Sequence, residues 1–544
     1  MFEFTRGRRG TKYFAAVVLV GIAFFFCLLC FSLSNSAAEQ SNDSAVPAGL
    51  TVVDEDRWNE VVSCGTATAM DRSAILFDGA RIAYNAADVT FYIPQDMESD
   101  LWSGTFTSSG LGNLLVRNDA YLYDKSGAIA DGHSFACLYQ SGSEYSLFYL
   151  VFTGLPTVSI DYNPDEAIVE KEDHEGRIYV QETDGVYQVS ECVFHVRGQV
   201  ASALDKKSWK ISLTTASGDK NHLSFCGMRD DDDWILNAMA LDPTRIREPL
   251  AYWVWDTMQS MTGYPSSSPD MQFAELFLND EYCGLYLLME PLDGKTLDLT
   301  DEDFLYQAYS YELPDDLILT EYNGISRTDY GEIRWPKSGN ESSALTWDLL
   351  QYIYDYGYRS ITWDELLSGG DVLDIMNMAI YDVFTVLTYA YDNVYHNMMF
   401  ACTLQEDGTY SVEQIPWDLN YVFGCTWSGN YDGGTAFAET FEPSYADHNF
   451  LWDAFISEFP EEAQECTRIV WQTLRDAGLD ADLVCSKGES LWHEISDSGA
   501  FAREKECWEW VEDLNIDEED VLLVFEWIRN RFDTLDSFYG YDQN

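Results

Sequence analysis

Apolar residues recur in three different rhythms along this chain. Behind Arg6, Arg8, Arg9 and Lys12 runs one unbroken apolar stretch, "YFAAVVLVGIAFFFCLLCFSL", from Tyr13 to Leu33. It is long for a signal-peptide core and suits a membrane span of about 20 residues, with the basic flank on the cytoplasmic side. "SNSAAEQ" offers small residues for cleavage after Ala38. Residues 1–38 are expected to be a signal peptide or a membrane-anchor helix, and residues 39–60 a polar linker.

The second rhythm is that of short strands. "AILFDGARIAYN", "DVTFYIP", "NLLVRNDAYLYD" and "YSLFYLVFTGLPTVSI" are apolar runs broken by Gly, Asn and Asp, which predicts a small β-rich domain over 61–160. Over 161–293, strands such as "GRIYV", "CVFHVRG", "SWKISL" and "MQFAELFLN" surround one helix, Thr244 to Met261. Over 294–544 the spacing becomes three and four, as in "ALTWDLLQYIYDYGY" and "EEDVLLVFEWIRNRFDTLDSFY", which predicts helices. The expected fold class is α+β, with a β-rich lobe followed by a helical one.

Composition narrows the function classes. With 544 residues, 46% hydrophobic and 15% aromatic, the chain has ample core material for several domains. Its 93 acidic and 31 basic residues give a net charge of −62, which repels nucleic acid and attracts basic partners and divalent cations. Of 12 cysteines, Cys27 and Cys30 sit inside the apolar run and the rest are scattered singly, so a few disulfides at most are expected. The seven histidines form no H-E-x-x-H, no G-x-S-x-G occurs, and "DGKT" lacks the upstream glycine of a P-loop. "RDDDDW", Arg229 to Trp234, lacks the alternation of a calcium loop and reads as an exposed turn.

What remains is a set of Asp and Asn residues near the start of the helical part. Asp392 and Asn397 in "YDNVYHNMMF" have the five-residue spacing with which phosphoryl-transfer sites place a carboxylate for the acceptor and an amide for the metal. "MMFACTL" and "YSVEQI" predict a hairpin that would return Asp418 of "PWDLN" beside Asn397. Taken alone, D-x-x-x-x-N is a weak signal, and a helix C-terminus with ordinary polar caps is its plain alternative.

Six ordered blocks add to it: "FTGLPTVSI", "VRGQVASALDKKSWKISL", "DWILNAMALDPTRIREPLAYWV", "FAELFLNDEYCGLYLLMEPLD", "YDNVYHNMMF" and "IPWDLNYVFG". With them the chain resembles the CotH kinase family, the spore coat protein H type of atypical protein kinase, from about Leu155 to Tyr539. The resemblance implies a bilobal protein-kinase-like fold, with 161–293 as N-lobe and 294–544 as C-lobe. It implies Asp392 as catalytic, Asn397 and Asp418 as metal ligands, and Lys210, Arg197, Lys207 and Glu290 as contacts to ATP, with Lys206 a neighbouring basic candidate. Asp242 and Arg247 match a supporting pair. The cofactors implied are ATP with Mg²⁺ or Mn²⁺, and the partner is an extracytoplasmic protein, basic or Ser-rich, phosphorylated on Ser or Thr. The family usually carries a second Asp in P-W-D-x-D. Here that position is Asn420, which can offer a carbonyl oxygen but no charge. An inactive surface-binding protein and transfer of another group from ATP are the alternative readings.

Overall fold

The computed structural model describes residues 46–198, 201–308, 319–322, 325–328, 331–336, 344–427, 435–437, 448–511, 514 and 516–541. The first part is a seven-stranded sheet. Its main path runs Thr51–Val53, Asn113–Arg117, Ser134–Ser141, Glu144–Thr153, Thr90–Pro94 and Ala83–Asn85, with Thr66–Ala67 pairing Glu144–Thr153. Phe91, Phe148, Leu150 and Val116 alternate onto its buried face.

Next comes a closed barrel of seven strands: β1 (Thr157–Tyr162), β2 (His174–Gln181), β3 (Tyr187–Arg197), β4 (Ser208–Thr214), β5 (Asp233–Asn237), β6 (Met271–Leu278) and β7 (Glu281–Met289). Around the barrel the order is β1-β2-β3-β4-β5-β7-β6. Sequence neighbours make the other antiparallel pairs, β5 pairs antiparallel with β7 past the intervening helix and β6, and the parallel pairing of β1 with β6, Thr157 opposite Glu275, shuts the ring. Closure removes the free edges that an open sheet would expose. Val158, Ile178, Phe194, Ile211, Leu236 and Leu288 fill the interior. The residues between them on β5 and β7, among them Ile235, Leu287 and Met289, point outward and join the main core with Leu250, Trp255 and Met258 of the helix Arg247–Thr262. Each such large apolar side chain contributes about 1.5–3 kcal/mol on burial.

A second seven-stranded sheet follows, ordered Leu319–Tyr322, Ile325–Thr328, Gly331–Trp335, Phe304–Ala308, Met398–Leu404, Tyr410–Pro416, Asp371–Leu373. The helices Ile375–Thr388, Phe450–Glu458, Pro460–Asp476, Ala481–Asp497 and Glu519–Tyr539 supply much of the same main core.

Two expectations are corrected here. The fold is mixed α/β with a closed barrel, where an α+β, two-lobed kinase-like arrangement was expected. A full seven-stranded sheet also stands in the part expected to be helical. Phe304–Ala308 lies between two strands remote in sequence, Gly331–Trp335 and Met398–Leu404. Local periodicity does not register such long-range pairing. The expectation of a transmembrane or signal helix is not carried forward either. Among the described residues no helix is long and apolar enough to cross a membrane, and the run Tyr13–Leu33 lies outside them. The ten described cysteines are all unpaired.

Candidate active site

The hairpin made by Met398–Leu404 and Tyr410–Pro416 builds one wall of the site. Its register sets Met398 opposite Pro416, and the Trp417 amide donates to the Asn397 carbonyl at 3.0 Å, so Asn397 and Asp418 leave the hairpin side by side. Asn393 fastens the two exits. Its Nδ2 donates to the carbonyl of Asn397 at 2.6 Å and to that of Trp417 at 2.8 Å. Both Asn397 (φ 47°) and Asp418 (φ 60°) adopt the left-handed conformation. Asn and Asp tolerate it better than most residues, and ordered proteins hold it where function fixes the backbone.

Asp392 sits in the one-turn helix Tyr391–Asn393, just after the helix Ile375–Thr388. Its Oδ2 accepts from Asn397 Nδ2 at 2.7 Å. Burial, and then the nearby Asp418, push the Asp392 carboxyl up to about 7, against the Asn397 hydrogen bond. Asp418 is itself raised by burial, with Arg197 opposing. Asn420 Nδ2 donates to Asp418 Oδ1 at 2.9 Å, while Asn420 Oδ1 is buried without a partner.

The facing wall is the outer surface of the barrel. On β3 and β4 the inward residues are Phe194, Val196, Trp209 and Ile211, which leaves Arg197 and Lys210 on the outer side. The pairing of Arg197 with Ser208 and of His195 with Lys210 makes the two cations near neighbours on that surface. Lys210 reaches Asp233 at 3.8 Å and stays partly exposed. The Arg197 guanidinium lies over the Trp417 ring, 5.6 Å from its centre, with no ion-pair partner among the described residues.

Three residues that the sequence reading left out complete the site. Glu248, in the first turn of the helix Arg247–Thr262, is only 4% exposed and accepts from Asn237 Nδ2 at 2.7 Å. Burial and then Asp418 raise its carboxyl well above the usual range. Tyr252 on the same helix receives the Asp418 amide on its hydroxyl at 3.3 Å. Asn393 is the third. An acid in a first helical turn is so ordinary that sequence gave Glu248 no mark. Asn393 was visible as the last residue of "YDN".

Other expected residues are held elsewhere. Lys207 Nζ donates to the Ser202 carbonyl at 2.8 Å. Lys206 is fully buried, donating to Glu504 at 2.6 Å and to the Ala238 carbonyl at 3.0 Å. Glu290, at the end of β7, accepts the Arg229 amide at 2.8 Å and joins that guanidinium at 3.6 Å, within a cluster that also holds Asp231 and Asp293. Asp242 and Arg247 form a buried pair at 2.5 Å, in which Asp242 also takes the Arg247 amide, so they pin the start of the helix that carries Glu248 and Tyr252.

The side chains here are of the kind that a divalent cation and an anion take, although among the described residues no three acidic side chains of this site come within metal-sharing reach of one another. Among the described residues, one carboxylate oxygen of each of Asp392, Asp418 and Glu248 receives no hydrogen bond, Asn420 keeps a carbonyl oxygen, and Arg197 forms no ion pair. Hard oxygen donors are what Mg²⁺ and Mn²⁺ take, and a planar guanidinium suits phosphate oxygens. No curated protein matches the chain. The family model described as CotH kinase protein matches residues 194–535, well over half the sequence and the whole of this site, and the chain therefore belongs to the CotH kinase family.

Proposed function

We propose that this chain is a protein kinase that transfers the γ-phosphoryl group of ATP to a Ser or Thr hydroxyl of an extracytoplasmic protein. The observation that supports the reading is the hydrogen bond between Asp392 and Asn397 beside Asp418, with the Arg197 guanidinium over the neighbouring Trp417 ring. Phosphoryl transfer asks for little else from a protein: a carboxylate for the attacking hydroxyl, oxygen ligands for the metal, and positive charge at the phosphates.

Asn397 and Asp418 would hold the divalent cation that accompanies ATP. When bound, that cation supplies neutralisation of phosphate charge. Asp392 orients the acceptor hydroxyl and takes its proton on the oxygen that Asn397 leaves unbonded. The Asn397 amide holds the other oxygen, which fixes the direction of the carboxylate. Arg197 draws the phosphates toward the Asp418 side of the cleft, and Lys210 adds charge one strand away. Lys207 and Glu290, tied to Ser202 and Arg229, are left with supporting roles at most.

The test uses the full chain, Mg²⁺ or Mn²⁺, and ATP labelled either on the γ-phosphate or on adenine. Label from the γ-phosphate alone in the acceptor supports phosphoryl transfer, adenine label means nucleotidyl transfer, and neither label on any acceptor favours a binding module. Asp392→Ala should lower transfer by about 10²-fold or more while metal–nucleotide binding survives. Asp418→Ala should weaken both.

A further inference from the structure

We propose that Asn393 is the positioning residue of this site: its side-chain amide clamps together the two chain segments that carry Asn397 and Asp418, and so sets how those two side chains meet a divalent cation. The proposal rests on the kinase reading of the cleft and gives a role to a residue that acts through its neighbours.

Asn393 directly follows Asp392 in the one-turn helix Tyr391–Asn393 and is buried. Its own backbone is anchored at both ends. The amide donates to the Ala390 carbonyl at 2.9 Å, and the carbonyl accepts from the hydroxyl of Tyr381, on the helix Ile375–Thr388, at 3.0 Å. From that base a single Nδ2 spans the carbonyls of Asn397 and Trp417, at 2.6 and 2.8 Å. The first carbonyl belongs to Asn397 itself and the second to the residue just before Asp418. A group bound to one of them would steady one arm; a group bound to both fixes the gap between the arms.

The chemistry at that end is specific. Two carbonyl oxygens face one group, so a donor with two N–H bonds satisfies both, whereas a side-chain oxygen there would be repelled. The other end of the amide gains nothing, since Asn393 Oδ1 is buried and has no hydrogen-bond partner among the described residues. An unsatisfied buried oxygen destabilises a fold, so packing alone does not favour an amide here over an apolar side chain. The backbone being clamped is also strained. Asn397 and Asp418 are both left-handed, a conformation that persists where surrounding contacts enforce it. The Asn393 bridge is such a contact. Residues that orient ligands from behind lower metal affinity when they are lost, although no ligand is removed.

Asn377 supplies the comparison. It is equally buried and holds the same hairpin by two bonds, taking the Gln414 amide at 2.7 Å and donating to the Gln414 carbonyl at 3.3 Å, but it does so inside the strand Tyr410–Pro416 and not at its exit. The experiment titrates the full chain with Mn²⁺ alone, without nucleotide, following free Mn²⁺ by its electron paramagnetic resonance signal. Asn393→Ala should weaken Mn²⁺ binding about 10–100-fold in a folded protein, whereas Asn377→Ala should lower the melting temperature and leave the affinity within about twofold. Unchanged affinity in Asn393→Ala, an equal loss in both variants, or no Mn²⁺ binding by the unmutated chain would overturn the proposal. Should Asn393→Ala not fold, Asn393→Ser, whose one hydroxyl hydrogen serves at most one carbonyl, takes its place with the same outcomes. Mn²⁺ binding that depends on Asn393, in a chain that transfers no phosphate from ATP, would defeat the kinase reading and leave the clamp standing.

Discussion

At the scale of single residues, Asn420, which stands where the resemblance leads to an expected Asp, has a local role. Asn420 donates its amide to Asp418 Oδ1, so it steadies a carboxylate whose negative charge raises the Asp392 and Glu248 carboxyls. An Asp there would lose that hydrogen bond and add another negative charge. Asn420→Asp should therefore lower the unfolding free energy in chelator by on the order of 1–3 kcal/mol, with a lower melting temperature that recovers with Mn²⁺. Melting curves with and without the metal check it. A second buried acid gives a pH prediction. Asp371 is fully buried, both its oxygens lack partners, and burial pushes its carboxyl up to about 8. A raised folded value means that the folded state holds the proton more tightly than the unfolded chain. The stability from that proton is complete below the unfolded value near 3.9 and is lost as pH rises through about 8. Asp371→Asn, neutral at every pH, should flatten that fall and gain on the order of 2–3 kcal/mol at pH 8 relative to its effect at pH 4. Chemical denaturation at the two pH values measures it. Of these residues, Asp392, Asn397 and Asp418 could be named from spacing and block order, whereas Glu248 and Asp371 could not. Their significance comes from what surrounds them in space.

At the scale of elements, the helix Ala500–Trp508 ties the end of the chain to the barrel. Its Glu504 accepts from Lys206 at 2.6 Å, from Arg245 Nε at 3.1 Å and from the Leu285 amide of β7 at 2.8 Å, all fully buried. Its Arg503 reaches Glu275 of β6 at 2.8 Å and Thr153 of the first sheet at 3.0 Å. Burial lowers the Lys206 ammonium to about 8, with Glu504 holding it up. Removing the carboxylate leaves two buried cations and no counter-charge. Glu504→Gln should thus cost about 3–5 kcal/mol, more than an exposed pair could. Urea unfolding with an unchanged slope would measure it. The "KK" of the β3–β4 connection illustrates what local reading can and cannot give. Two adjacent lysines invited a phosphate-binding role, but the fold buries one inside an ion triad whose acid is almost 300 residues away and ties the other to a loop carbonyl. The hairpin that carries Asp418, by contrast, pairs two strands close in sequence and was readable, although each strand also pairs with a remote one.

At the scale of the whole molecule, charge decides what approaches the cleft. Of 124 ionisable Lys, Arg, Asp and Glu residues, 93 are acidic. Many of the cations are consumed internally: Arg72 and Arg81 with Asp161 and Asp280, Arg475 with Asp536, Arg503 with Glu275. Exposed helix faces keep acids such as Glu461, Glu462 and Glu465. The resulting field draws in basic chains from a distance and repels acidic ones, an effect on encounter more than on the chemical step. Salt attenuates it, because the Debye length shrinks from about 10 Å at 0.1 M to about 3 Å at 1 M. If phosphoryl transfer is the activity, kcat/KM for a Ser peptide flanked by Lys or Arg should fall about tenfold across that range, with kcat little changed. A neutral Ser peptide of the same length should change far less. Steady-state kinetics at fixed Mn²⁺ and ATP on both peptides give the comparison. Equal salt dependence of the two would mean that recognition is set within the cleft, by Asp392 and its neighbours, and that the acidic surface serves solubility alone.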